Sequence, residues 1–328
     1  LFLTIRCGPI RSALPDGMGG MQRPSLRSAG AACVHRKPAI VNIIVNADDF
    51  GLTQGMNRGI MDCFLAGSIS STTLLVNMPA TEEAAGYARD HPSLGVGLHF
   101  NLTLGRPVSD PSSVPSLVGP DGCFPGRSSC EKRLLKGSIK RSDIIREFRA
   151  QVERFEDLGL KVTHIDSHQH VHLFPQVFDI VADYCLEHCI PMRAPWPWPR
   201  MRLGLRRRGC LGVPGMYLRQ KARNLLLKRN VCRWKGRVRF NGGFGCILDV
   251  AGRISSITKQ RYLELLSIPQ GFPFEIMVHP AWVDERLEAV QLMSRVCDKE
   301  REVLTSFSLR EEAEKRGLCW CSYGESFC

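Results

Sequence analysis

Thr163-His164-Ile165-Asp166-Ser167-His168-Gln169-His170-Val171-His172 places four imidazoles and one carboxylate in ten residues, directly after the apolar strand signal Leu160-Lys161-Val162. In an extended strand, alternate side chains share a face. The spacing therefore predicts Asp166, His168, His170 and His172 on one side of a strand that delivers polar chemistry at its end. Imidazole is the commonest protein ligand for transition metals, and a solvated surface has little use for such a run. The plainer alternative is a pair of satisfied, hydrogen-bonded histidines beside a loop.

Upstream, Ile40-Val41-Asn42-Ile43-Ile44-Val45 has the β-branched content of a buried strand; it ends in Asn46-Ala47-Asp48-Asp49-Phe50-Gly51. A helix is predicted over 53–66, with Thr53 as N-cap and Gly67 closing it. Strands are predicted over 71–76 and 94–98, with a helix over 81–90 between them; the second strand runs into His99-Phe100-Asn101. The Pro-, Gly- and Ser-rich stretch 105–128 is long enough for a lid or substrate loop. Helices over 143–158 and 174–188 flank the histidine segment. Further strands are expected at 190–192, ending in Arg193, at 238–240, at 274–278, ending in His279-Pro280, and at 318–323, after a helix over 309–316.

Strands alternating with helices argue for parallel βα units. Asp48/Asp49, His99, Asp166/His168, Arg193 and His279 each fall at the carboxyl end of a short apolar strand. In a βα barrel those ends converge on one face, whereas an open doubly wound sheet gathers only the strands around one switch point. Five contributing strands favour an α/β fold of the TIM-like barrel kind. Neither GxGxxG after the first strand nor GxxxxGK[ST] is present, so a cradle for nucleotide phosphates has no support.

The net charge of +12 over 328 residues is unevenly spread. Residues 200–239 hold fourteen Lys/Arg and no acid, and residues 1–40 hold six against Asp16 alone, so the remainder is mildly acidic. The positive charge belongs to one insertion and one extension, which weakens any reading as a nucleic-acid or membrane protein. The extension 1–39 reads as a disordered tail, with a targeting leader as the alternative. No run of 18 apolar residues predicts a membrane span. The fourteen cysteines are scattered; Cys185/Cys189 and Cys319/Cys321 lack CxxC spacing, and reduced thiols in a cytoplasmic compartment are expected.

A hydrolytic metal site needs about three protein ligands and an open position. Asp49, His99 and His168 supply one carboxylate and two imidazoles for a divalent ion. Asp48 is placed by adjacency to take a proton from water, provided the chain leaves the strand there so that both Asp side chains serve one site. His279 is the candidate general acid. Arg193 can hold Asp48 by charge-assisted hydrogen bonds, and Asp166 can orient a ligand imidazole from behind. Each group alone has an ordinary explanation: a capping turn for the Asp pair, a core histidine for His99, stacking on an indole for Arg193. Their joint placement carries the reading.

Asn46-Ala47-Asp48-Asp49-Phe50-Gly51, Gly97-Leu98-His99-Phe100-Asn101-Leu102-Thr103 and the histidine segment resemble the three signature segments of the YdjC-like carbohydrate deacetylases. Met192-Arg193-Ala194, Met277-Val278-His279-Pro280-Ala281 and Arg301-Glu302-Val303-Leu304-Thr305-Ser306 extend the resemblance over 40–325. It implies a single distorted (β/α) TIM-like barrel of the glycoside hydrolase/deacetylase type. It also implies removal of acetyl groups from N-acetylated oligosaccharides, with magnesium, zinc or a similar divalent ion. On this pattern Asp48 is the proton acceptor and Asp49, His99 and His168 hold the metal. His170 and His172 match the motif without being its usual ligands, so His170 is assigned beside Asp166, behind the ligands. The expected partner is an acetylated oligosaccharide, and a homodimer is a possible assembly. Two rivals stay open: a barrel hydrolase for another amide or a phosphate ester, and a binding protein that uses the basic helix 216–229 on an inactive barrel.

Overall fold

β1 (Asn42–Phe50) is buried from Ile43 to Phe50, the pattern of a strand enclosed on both faces of a parallel sheet. The computed structural model describes residues 41–195, 214–247, 254–267, 273–290 and 294–327, with side chains of the 214–234 helix described from 224 onward. The extension 1–39 and residues 200–213 of the basic insertion lie outside these.

After β1 come α1 (Gln54–Leu65), β2 (Ser71–Leu74), α2 (Thr81–Asp90), β3 (Gly95–Phe100), α3 (Arg127–Leu135), α4 (Arg141–Asp157), β4 (Ile165–Ser167) and α5 (Pro175–Glu187). The second half holds α6 (Pro214–Trp234), β5 (Gly243–Cys246), α7 (Lys259–Leu266), β6 (Phe274–Val278), α8 (Glu285–Val290), α9 (Ser294–Thr305), α10 (Leu309–Glu314), β7 (Cys319–Trp320) and α11 (Tyr323–Ser326). Every ladder is parallel, in the order β4-β3-β2-β1-β6-β5, with β7 beside the start of β1. The sheet curls into a half-barrel. Beyond β4 it continues through single-residue bridges, Ile165 to Met192 and Met192 to Phe240. The strands expected at 190–192 and 238–240 shrink to these bridges; Pro191 has no N–H to extend a ladder.

Local chemistry sets the remaining boundaries. Thr53 caps α1 by accepting from the Met56 N–H, and Gly67 ends it at a φ of +74°, as expected of a left-handed closing residue. The 105–128 stretch is no free lid. Val114, Leu117 and Phe124 are buried, and the Glu147 carboxylate accepts from the backbone N–H groups of Val108 and Ser109. The basic helix also has a packed side: Leu227 and Asn230 of α6 are buried, and Arg233 pairs with Asp179 of α5.

The histidine segment departs from the strand expected of it. β4 stops at Ser167, and His168–Leu173 forms a 3₁₀ turn in which Gln169 and His170 have φ of +54° and +57°. The alternation therefore fails beyond His168. Ordering so many polar side chains along a strand would bury unpaired groups, and the turn separates His170 from the group formed by Asp49, His99 and His168.

Gly97 of β3 fits the His164 ring closely: an added Cβ would lie 2.5 Å from the His164 carbonyl oxygen and 2.6 Å from its Nδ1. Gly97→Ala should destabilise the fold by about 1–3 kcal/mol through overpacking. Urea denaturation measures this, and an unchanged midpoint would show that β3 and β4 can part freely.

Candidate metal centre

Two consecutive carboxylates serve one site only if the strand breaks. The β1–β2 register shifts between Ala47 and Phe50, and Asp49 takes a φ of +68°. Asp is among the few residues that visit this region without large penalty. Gly51 follows at +88°, and its N–H donates to the Asn57 side chain at 2.7 Å, fixing the exit into α1. Asp48 and Asp49 both stay buried, at 3% and 2% exposure.

Asp49 Oδ1 lies 3.2 Å from His99 Nε2 and 2.8 Å from His168 Nδ1. These three residues offer ligand atoms that all lie within 4.8 Å of one another. Behind them, Asp166 Oδ1 sits 2.6 Å from His99 Nδ1, and its Oδ2 accepts the Thr73 hydroxyl at 3.1 Å. Donation of the Nδ1 proton to Asp166 points Nε2 toward Asp49, where loss of its own proton would free a lone pair for a metal, the arrangement that orients metal-bound histidines. Electrostatics favour a cation here. Burial alone would lower His99, but the charge and hydrogen bond of Asp166, then Asp49 and Asp48, push it up to about 10. Burial would raise Asp49, and His168 and His99 outweigh that and hold it well below the carboxylate range. One carboxylate and two imidazoles thus fit a divalent ion.

Arg193, fully buried, follows the Met192 bridge. Its Nη1 and Nη2 donate to the two oxygens of Asp48, each at 2.6 Å, and Nη1 also lies 2.5 Å from Asp166 Oδ2. Its Nε donates to Glu275 Oε1 at 2.7 Å. Burial would raise Asp48, but the Arg193 charge and hydrogen bonds keep it far below its usual range. Asn46 adds a third donor at 2.9 Å. His279 Nε2 stands 3.9 Å from Asp48 Oδ2, and its ring Nδ1 has no hydrogen-bond partner among the described residues. The backbone N–H of His279 donates to Glu300 Oε2, whose other oxygen accepts from the Tyr262 hydroxyl; both distances are 2.7 Å.

Asp48, Asp49, His99, Asp166, His168, Arg193 and His279 thus come together. His170 does not join them; its ring lies edge-on to His172 and Phe244, with centroids 6.0 and 6.1 Å away. His172 is buried, and Ser167 Oγ lies 2.5 Å from its Nδ1. Burial, then the charges of Arg193 and His99, push His172 down to about 3, so it is a neutral packing group. Sequence reasoning missed Asn46, Thr73, His164, Glu275, Glu300 and Tyr323. Asn46 and Glu275 carried a faint signal, each being a polar side chain inside an apolar strand.

A family model described as YdjC-like protein matches residues 42–315. A carbohydrate deacetylase of Geobacillus stearothermophilus is 38% identical over 287 residues, covering 87% of this chain and 97% of its own. The chitooligosaccharide deacetylase of Proteus mirabilis is 33% identical, over 84% of this chain and 94% of its own. Among solved structures, an Enterococcus faecalis V583 protein provisionally named for cellobiose-phosphate cleavage superposes with a TM-score of 0.66. It is 27% identical and covers 87% of this chain and 98% of that one.

Glu275 supplies a pH signature. Burial raises it, Arg193 and the Tyr323 hydroxyl pull it back, and Asp48 raises it again, with the balance at about 7 against 4.5. The folded chain thus keeps a proton that the unfolded chain releases. This stabilisation is complete below about 4.5 and is lost as pH rises through about 7. Glu275→Gln, which keeps an oxygen acceptor for Arg193, should flatten that slope, by something on the order of 3 kcal/mol between the two limits. Urea midpoints measured at both ends of the window test this, and equal slopes in the two proteins would reject it.

Proposed function

The chain belongs to the YdjC-like family, and on that premise we propose that it is a metal-dependent carbohydrate deacetylase. It hydrolyses the acetamide of an N-acetylated oligosaccharide. The observation that carries the proposal is the convergence of Asp49 Oδ1, His99 Nε2 and His168 Nδ1 beside an Arg193-held Asp48. The names of the Geobacillus and Proteus relatives supply the substrate class.

Asp49, His99 and His168 would hold the ion. Two nitrogen donors suit zinc, cobalt or nickel better than magnesium, which prefers oxygen ligands, although the resemblance implies magnesium. When bound, a divalent ion at this point lowers the pKa of water and polarises an acyl oxygen. Asp48 is the proton acceptor. Its three donors keep it ionised, so it would receive a proton only from a water that a bound ion makes acidic. His279, 12% exposed at the edge of the site, is the group placed to give a proton to the departing sugar amine. Arg193 holds Asp48 in plane by two parallel hydrogen bonds, and Asp166 keeps His99 in the tautomer that frees Nε2. No Ser or Cys nucleophile is required. We also read the bridges through Met192 and Phe240 as the seam of a distorted barrel.

The Enterococcus protein's name marks the rival substrate, a phosphorylated disaccharide cleaved at another bond. Purified protein loaded with zinc, cobalt, nickel or magnesium should release acetate from N-acetylchitobiose and leave cellobiose phosphate intact. Dialysis against a chelator should abolish the release, and added metal should restore it. Asp48→Asn should lower kcat by about 10²–10⁴-fold, the range for a lost general base, while retaining metal. His99→Ala and His168→Ala should lose metal and activity together. Acetate release that survives in His99→Ala with no bound metal would end the proposal.

A further inference from the structure

Around Asp48 the side chains close a ring that metal holding does not explain. On one side His164 Nε2 lies 3.0 Å from Asn46 Oδ1, and Asn46 Nδ2 donates to Asp48 Oδ1. On the other, Arg193 donates to Asp48 and, through Nε, to Glu275. Glu275 Oε2 accepts the Tyr323 hydroxyl. The circuit closes where the Tyr323 ring stacks on His164, with centroids 4.0 Å apart and planes at 10°. Asn46, His164, Arg193, Glu275 and Tyr323 are all fully buried.

On the His164 side the direction of each hydrogen bond follows from the charge on Asp48. An ionised carboxylate only accepts, so the Asn46 nitrogen faces Asp48 and its oxygen faces His164. His164 then carries its proton on Nε2, and Nδ1 accepts the Thr163 hydroxyl at 2.9 Å. Burial and then the Arg193 charge hold His164 well below its usual range, which keeps it neutral. Gly97 leaves no room beside His164, and the Tyr323 N–H donates to Ser71 Oγ at 2.9 Å. Ser322 and Glu325 lock the turn that carries Tyr323 by a reciprocal capping box.

We propose that His164 and Tyr323 are positioning residues for the reaction, acting on Asp48 from opposite sides through Asn46 and through Glu275 and Arg193. His164, like His170 and His172, is left unused by ligand binding, and Tyr323 lies past residue 315, where the family match ends. The inference rests on Asp48 as proton acceptor. Small misplacements of a reacting group cost up to about 10²-fold in rate, and loss of an outer partner of a metal site about 10–100-fold.

Tyr323→Phe keeps the stack and removes the hydroxyl. His164→Leu removes the donor to Asn46, and His164→Gln returns an N–H near the Nε2 position. In the zinc-loaded full chain, Tyr323→Phe and His164→Leu should each lower kcat about 10-fold or more. KM for N-acetylchitobiose should stay within about twofold, with bound zinc unchanged by elemental analysis, and His164→Gln should recover most of kcat. A purely structural role would lower the melting temperature and leave kcat of the folded enzyme alone. Wild-type kcat in Tyr323→Phe overturns the proposal, and so does a loss of kcat that tracks lost zinc; if His164→Leu fails to fold, Tyr323→Phe decides. Full activity in Asp48→Asn would sink the proton-acceptor reading itself. An inactive Asp48→Asn beside fully active ring variants would sink this inference alone.

Discussion

A guanidinium without solvent exposure holds the interior of this molecule together. Arg193 meets Asp48 from β1, Asp166 from β4 and Glu275 from β6. Burying such a charge is expensive unless it is paired and its donors are all used. Three strands answer that demand with one carboxylate each, so the strands must meet at a fixed spacing. The requirement explains why the centre of the sheet is polar, with Asn46, Thr73, His164 and Tyr323 in place of an apolar filling. These neutral groups orient the carboxyl groups around the guanidinium: Thr73 serves Asp166, Asn46 serves Asp48 with His164 behind it, and Tyr323 serves Glu275.

Backbone departures from strand geometry occur where the chemistry is delivered. Asp49 is left-handed at the end of β1, and Gln169 and His170 are left-handed directly after His168. Such conformations cost on the order of 1 kcal/mol or more and persist only where the surroundings enforce them. At Asp49 the kink lets neighbours in sequence serve one site. After β4 it ends the strand at the ligand and returns the chain to bury Val171, His172 and Leu173.

Much of this was legible in the chain. The β-branched run of β1, the bounds of α2 and β6, and the capping of α1 by Thr53 are local signals, and local physics sets them. The meeting of Asp49, His99 and His168 was legible because such residue types are chemically unusual at strand ends. What stayed hidden was relational. Strict alternation along 163–172 assumes an extended backbone, and nothing in the composition announces two left-handed residues in its middle. Glu275 stands out only faintly as a polar residue in an apolar strand, and Tyr323 looks like an ordinary aromatic near the end; only the fold brings them to Arg193 and His164. β5 was missed because Gly243-Phe244-Gly245-Cys246 has little strand propensity, and its place is set by pairing with β6.

The charge balance links the two halves of the site. Asp48, Asp49, Asp166 and Glu275 are buried around a single guanidinium, which cannot neutralise all four. Glu275, at about 7, can take a proton near neutrality, because burial raises it more than Arg193 and the Tyr323 hydroxyl pull it back. The remaining deficit falls between Asp49, His99 and Asp166, where a raised His99 shows how strongly positive charge is favoured. A divalent ion held by Asp49, His99 and His168 would meet that deficit on one side. Arg193 meets it at Asp48. One cation is thus built into the sequence and a second would be bound, and Asp166 touches the guanidinium directly and His99 through Nδ1. A change at either end of Asp166 is therefore felt by both.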